Sequence, residues 1–249
     1  MSLRVLPAEL GPRVRAGFTT RFGGVSVGPW AGLDLALHVD DDPIQVRANR
    51  RLLQDWAGAP VRFVHQVHGC AVLVEDGTDR PPGPEPQADA VVSLSPAVAA
   101  GVLVADCVPV LVADAEAGVV AAVHAGRVGL LAGVVEAAVA ELARAGAQPA
   151  RMAAAGPRAA GPCCYEVGEA IRADAAQRIP QTWATTRWGS PSLDLRAGCA
   201  VVLSRLGVPA VSLVGGCTIE DEALYSYRRA RATGSQHTGR FAGVVRMLA

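Results

Sequence analysis

Between residues 89 and 126 the chain carries three apolar, strand-like runs in close succession: "DAVVSL", "GVLVADCVPVLVAD" and "GVVAAVHAG". Runs of this kind, separated by short turns, call for a sheet whose strands are neighbours in sequence. The longest uncharged tract, Ala90 to Ala105, contains Ser93, Ser95, Pro96 and Gly101 and is too short and broken to cross a bilayer as a helix. The opening "MSLRVLPAEL" lacks the apolar stretch of a signal peptide, so the expectation is a cytoplasmic protein with no membrane partner.

Helical patterns stand among the strands. "DDPIQVRANRRLLQDW" reads as a helix with Asp42 as N-cap and Pro43 at the first helical position. Further helices are expected from about Leu130 to Ala145, from Glu166 to about Arg178, and from Leu193 to Leu206. "VRAGFTTRFGG", "VRFVHQVHG", "AVLVE", "RMAAAG", "AVSLV" and "FAGVVRML" read as strands, and "DGTDRPPGPEPQ", "PRAAGPCC" and "YSYRRARATGSQHTGR" as loops. With 249 residues and 51% apolar content, the alternation predicts one α/β domain over residues 1–249 with mixed sheets.

Charge and composition remove several function classes. Lys plus Arg and Asp plus Glu both number 23, and no long basic run occurs, so nothing recommends nucleic acid or an anionic membrane as partner. The chain has no lysine, which excludes a Schiff-base lysine and a P-loop lysine. Six cysteines in a cytoplasmic chain are expected to be core residues, ligands or nucleophiles. The adjacent pair Cys163 and Cys164 is read as packing, because neighbouring cysteines bridge each other poorly.

Of the five histidines, His65 and His68 are three apart, and on an extended strand they would face opposite ways. Gly69 favours His68 as the one that enters a site, since glycine permits a turn and a close approach. Cys107 lies where Pro109 disfavours a central ladder position, so the strand should break beside it. His124 ends the next strand, and a hairpin-like arrangement would bring it to Cys107. One cysteine and two histidines supply three zinc ligands with a fourth position open; Cys107 and His124 alone would make a thiolate and its base; and a small buried cysteine beside satisfied strand-end histidines fits the same spacing. Arg228, Arg229, Arg231 and Arg240 form either a clamp for phosphate or carboxylate or a solvated loop.

The order of "FTTRFGGVSVGPWAGLDLALHVDDDPIQVRANR", "HQVHG", "ADAVV", "VLVADCVPVLVAD", "VHAG", "GPCCYEVG", "LDL" and "YSYRR…TGRFAGVV" resembles the YfiH family almost end to end. Members have been labelled polyphenol oxidase or laccase, purine nucleoside phosphorylase, and peptidoglycan editing factor. The resemblance implies a four-layer αββα sandwich, similar to the catalytic domain of cytotoxic necrotising factor toxins. It also implies a metal and catalytic centre at His68, Cys107 and His124. Two departures stand out: "HAGRVG" replaces the usual "HAGWRG", placing Arg127 and Val128 where tryptophan and arginine are usual, and Leu33 and Asp34 stand where an Asn–Leu pair is common.

What the resemblance implies about activity is zinc-dependent phosphorolysis of adenosine and inosine, with adenosine deamination beside it. Zn2+ is the expected ion, with Cu2+ as an occupant of the same three ligands, and the expected partners are a small-molecule nucleoside and phosphate. Arg127, Arg228, Arg229 and Arg240 are the phosphate candidates. Five histidines cannot supply a multicopper oxidase centre, which speaks against the laccase label. Two alternatives are an amidase acting on peptidoglycan precursors through Cys107 and His124, and a non-catalytic member that binds a partner protein; the intact ligand set speaks against the second.

Overall fold

The computed structural model describes residues 3–78 and 83–249. In chain order the elements are β1 (Val5–Pro7), β2 (Val14–Thr19), α1 (Pro43–Ala57), β3 (Val61–Arg62), β4 (Val72–Glu75), β5 (Ala90–Ser93), β6 (Ala99–Val104), β7 (Val108–Asp114) and β8 (Val119–Ala125). There follow α2 (Arg127–Leu131), α3 (Val134–Arg144), β9 (Ala153–Gly156), α4 (Glu169–Arg178), β10 (Trp183–Thr185), β11 (Pro191–Leu193), α5 (Leu195–Arg205), β12 (Ala210–Leu213), α6 (Tyr227–Ala232) and β13 (Phe241–Met247).

Strands β5 to β8 are buried at every position, which explains why their sequences run apolar without alternation: both faces are covered. They divide between two mixed sheets. One has the order β1-β2-β13-β6-β3 and the other β12-β9-β7-β8-β5-β4, with β10 and β11 forming a separate ribbon. The sheets stack face to face through a shared core in which Phe18, Val102 and Val245 of the first meet Val91, Leu111 and Ala122 of the second.

Helix α1 covers the outer face of the first sheet, where Leu53 and Ala57 join Leu103 and Val244. Helices α3 and α5 cover the outer face of the second, Val135, Ala138 and Leu142 packing with Cys199, Val202 and Leu203 over Val110, Val112 and Val123. The layers therefore run helix, sheet, sheet, helix. Burying apolar surface stabilises this arrangement by roughly 25 cal/mol per Å² removed from water, which suits small alanine and valine side chains only because the layers sit close.

Helix α1 starts as expected: the Asp42 carboxylate accepts from the Ile44 N–H at 2.8 Å, Pro43 follows, and Gly58 at φ 71° ends it in the left-handed region. Elsewhere the boundaries differ. The helix expected over 130–145 is two, because Gly133 at φ 90° breaks α2 from α3. The helix expected from Leu193 is shorter: Leu193 ends β11, and Asp194 caps α5 by accepting from the Ala197 N–H at 3.0 Å. The arginine-rich tail, expected as a loop, contains α6, capped by Ser226 accepting from the Arg229 N–H at 3.1 Å. In the proline-rich loop, residues 79–82 lie outside the described residues. "VRFVHQVHG" is strand only at β3. Among the described residues no helix is long and apolar enough to cross a membrane.

Candidate active site

The apolar run "GVLVADCVPVLVAD" becomes two strands in different sheets, and the chain passes from one sheet to the other at residues 105–107. That crossing places Cys107 at the mouth between the sheets. Asp106 adopts φ 100°, a left-handed conformation that costs free energy for a residue with a Cβ. Its side chain is held from both sides: Thr218 Oγ1 donates to Oδ1 at 2.6 Å and the Arg228 N–H donates to Oδ2 at 2.7 Å.

Antiparallel pairing of β7 with β8 sets Val108 opposite Ala125 and Pro109 opposite His124, so Cys107 and His124 become neighbours. Pro109 sits in a central strand after all. Pairing of β7 with β9 begins at Leu111, so the missing Pro109 N–H breaks no bond on that side.

His68 arrives on a loop rather than a strand, at φ 60°. Asp89, wholly buried at the start of β5, holds this loop: its carboxylate accepts from the N–H groups of Val67, His68 and Gly69 at 3.2, 2.9 and 2.6 Å. The same carboxylate lies 2.8 Å from His124 Nδ1. One buried acid thus sets the position of one histidine's backbone and the other's ring.

The three side chains converge. Cys107 Sγ stands 3.8 Å from His68 Nε2, the two imidazole rings meet edge to face with centroids 4.7 Å apart, and the ligand atoms of all three lie within 4.8 Å of one another. Burial alone would push the Cys107 thiol up, but the charge and hydrogen bond of His124, with help from His68, outweigh it and pull the thiol down to about 6. Burial opposes protonation of His124, yet the Cys107 thiolate and the Asp89 carboxylate raise it to about 9.

This donor set fits a metal. Sulfur and two imidazoles suit a borderline-soft ion such as zinc, and a carboxylate on Nδ1 fixes the tautomer that leaves Nε2 free to ligate. Gly126 is part of the fit, since a Cβ there would lie 2.7 Å from His68 Cδ2 and 3.1 Å from Cys107 Sγ.

A cavity of about 310 Å³ opens onto the three residues, and its walls include His38, Tyr165, Tyr227, Arg228 and Arg240. Of the arginines expected near an anion, Arg228 and Arg240 reach this cavity. Arg228 is positioned by its N–H on Asp106, by Nη1 donating to the Glu166 carbonyl at 2.8 Å, and by its guanidinium 4.8 Å above the Tyr165 ring. Arg240 donates from Nη1 to the Thr238 and Gly239 carbonyls at 2.9 and 3.1 Å, and burial pulls its guanidinium below the ordinary range. Arg229 turns away, its guanidinium spent on the carbonyls of Thr218, Ile219, Asp221 and Leu224. Arg127 begins α2 and lines an adjoining open groove that shares Tyr165 and Arg228 with the cavity.

His65 is not among the cavity-lining residues, and its ring lies 6.3 Å from that of His38, which is. His237 packs against Trp30, with ring centroids 5.4 Å apart. Reading the sequence missed Asp89, Asp106 and Tyr165. Asp89 and Asp106 each precede an apolar strand in "ADAVV" and "ADC", and an acid at such a junction was the available signal.

With the αββα layers and the His–Cys–His centre in view, comparison with known proteins places the chain. It belongs to the family described as multi-copper polyphenol oxidoreductase laccase, whose pattern matches residues 15–248. The YfiH resemblance holds: the crystal structure of YfiH from Bacillus licheniformis superposes with a TM-score of 0.85 at 28% identity, covering 94% of this chain and 92% of that one. A purine nucleoside phosphorylase of Streptomyces coelicolor is 48% identical over 224 residues, 88% of this chain and 91% of that protein. One from Corynebacterium glutamicum is 43% identical over 243 residues, 95% and 97% of the two chains.

Proposed function

We propose that the chain is a zinc-dependent purine nucleoside phosphorylase acting on adenosine and inosine, with adenosine deamination as a companion activity. The observation that carries this reading is the convergence of His68, Cys107 and His124 with Arg228 and Arg240 on one cavity of about 310 Å³. That volume lies at the small end of the roughly 300–1,000 Å³ typical of ligand pockets, which suits a nucleoside. Relatives named purine nucleoside phosphorylase at 36–48% identity support it.

A zinc ion bound by His68, Cys107 and His124 would supply Lewis-acid polarisation of a substrate oxygen or a water. Arg228 and Arg240 bind the phosphate as a bidentate partner and aim it at the ribose carbon. As the phosphate oxygen bonds to that carbon, the glycosidic electron pair leaves with the purine, which takes up a proton, and ribose 1-phosphate remains. Tyr165 and Tyr227 offer aromatic walls that exclude water from the purine.

Chromatography of products from adenosine, with and without phosphate, tests the reading. Adenine and ribose 1-phosphate are expected only with phosphate, and inosine from deamination is expected to accumulate without phosphate and to pass on to hypoxanthine with it. Adenosine left untouched in both would remove it. The lowered Cys107 thiol beside the raised His124 also favours a second reading, a cysteine nucleophile acting on an amide, and hydrolysis of a muramyl peptide by chelator-stripped protein would select it.

A further inference from the structure

A second cluster of metal-binding side chains lies outside the proposed catalytic centre. Cys163 and Cys164, on the turn before α4, and Cys217 and Glu220, on the loop after β12, bring four donor atoms within 4.8 Å of one another. Cys163 Sγ lies 3.2 Å from Cys164 Sγ and 3.4 Å from a Glu220 carboxylate oxygen. A disulfide needs about 2.05 Å between sulfurs, so Cys163 and Cys164 are separate thiols. A tetrahedral zinc with Zn–S bonds of about 2.3 Å holds its sulfurs about 3.8 Å apart, wider than the 3.2 Å between Cys163 and Cys164 and inside the 4.8 Å that bounds the four donors, so binding opens the pair by about 0.6 Å.

The surroundings are those of a thiolate site. The Gly161 N–H donates to Cys217 Sγ at 3.2 Å, the kind of outer contact that orients a metal-bound sulfur. A Cβ at residue 161 would lie 3.2 Å from Cys217 Cβ and 3.3 Å from Cys163 Sγ, so the glycine is what lets the two segments close. The Arg187 guanidinium contacts both Cys164 Sγ and Glu220, offsetting negative charge at the rim.

We infer that Cys163, Cys164, Cys217 and Glu220 form a second metal site, for a thiophilic cation such as Zn2+, that clamps two walls of the cavity together. Binding releases the thiol protons to solvent and breaks no other bond. The clamp acts on the cavity through neighbours in sequence: Cys164 precedes Tyr165, and Cys217 precedes Thr218, whose hydroxyl holds Asp106 beside Cys107. Three thiolates select zinc over magnesium or calcium.

Cobalt and zinc serve as probes. In a Cys107→Ala protein the first site has no sulfur, so a sulfur-to-cobalt charge-transfer band comes from the second. The band is expected in that variant and lost when Cys163→Ser and Cys217→Ser are added; a folded Cys107→Ala protein without it overturns the inference. The wild type gives an answer independent of variants: after reduction and loading it takes up two zinc ions, and X-ray absorption finds an average of two sulfurs per zinc, one from Cys107 and three from the cluster shared over two ions. Uptake of one zinc with one sulfur overturns the inference, as does a bridge between two cluster cysteines that re-forms in place of metal uptake.

Discussion

Replacing Asp89 with asparagine isolates the part played by the buried carboxylate. Oδ1 accepts from the His68 N–H and faces His124 Nδ1, while Oδ2 accepts from the N–H groups of Val67 and Gly69. In Asp89→Asn one oxygen becomes an NH2 group, and either orientation aims that donor at two other donors. Two charge-assisted bonds are lost, at about 1.5–3 kcal/mol each, so urea unfolding is expected to show a loss of about 3–6 kcal/mol. Because the His124 tautomer and the His68 loop lose their guide, zinc affinity measured against a competing chelator is expected to fall about 10- to 100-fold. An Asp89→Asn protein within about 1 kcal/mol of wild type and equal in zinc affinity would refute the role given to Asp89.

Three further outcomes follow from the same contacts. Gly126→Ala adds a Cβ 2.7 Å from His68 Cδ2 at an ordinary φ of −75°, so zinc affinity should drop at least tenfold by chelator competition while the unfolding midpoint stays near wild type; unchanged affinity would contradict the steric account. Arg228→Ala should raise KM for phosphate, whereas Arg229→Ala should leave KM alone and cost on the order of 3 kcal/mol of stability through the orphaned carbonyls; the reverse pattern in steady-state kinetics and urea unfolding would exchange their roles. Burial raises the Asp34 carboxyl from 3.8 to about 7, so the folded state keeps a proton that the unfolded chain loses, and stability falls as pH rises from about 4 through about 7. Asp34→Asn should therefore gain stability relative to wild type at pH 8 but not at pH 4, by at most about 4 kcal/mol at 1.36 kcal/mol per pH unit, and a difference that ignores pH would contradict this.

Much of the site was legible because strand ends announce themselves. Cys107 beside Pro109, and His124 before Gly126, mark where two apolar runs stop, and antiparallel pairing of consecutive strands then brings them together. What could not be read was the crossing between sheets at Asp106, since an apolar run carries no mark of which sheet each half joins. Nor could Asp89 be assigned: its role depends on a loop 20 residues away whose conformation it stabilises itself. The tail was misread for a local reason. Six residues after a serine, one tyrosine followed by three arginines and two alanines, are too few to show a helical period, yet Ser226 caps them and Asp106 accepts the Arg228 N–H. The cysteine pair at 163–164 shows no partner in sequence, because the residues that meet it, Cys217 and Glu220, lie more than 50 positions further along the chain.

The central claim, that His68, Cys107 and His124 hold the ion on which phosphorolysis depends, is tested most directly by restoring zinc to chelator-stripped protein. Adenine release from adenosine and phosphate would be followed in the wild type and in Cys107→Ala. The account predicts that zinc restores release in the wild type and leaves the variant at background. Phosphate-dependent release by Cys107→Ala at the wild-type rate, or release by the wild type that ignores zinc, would contradict it.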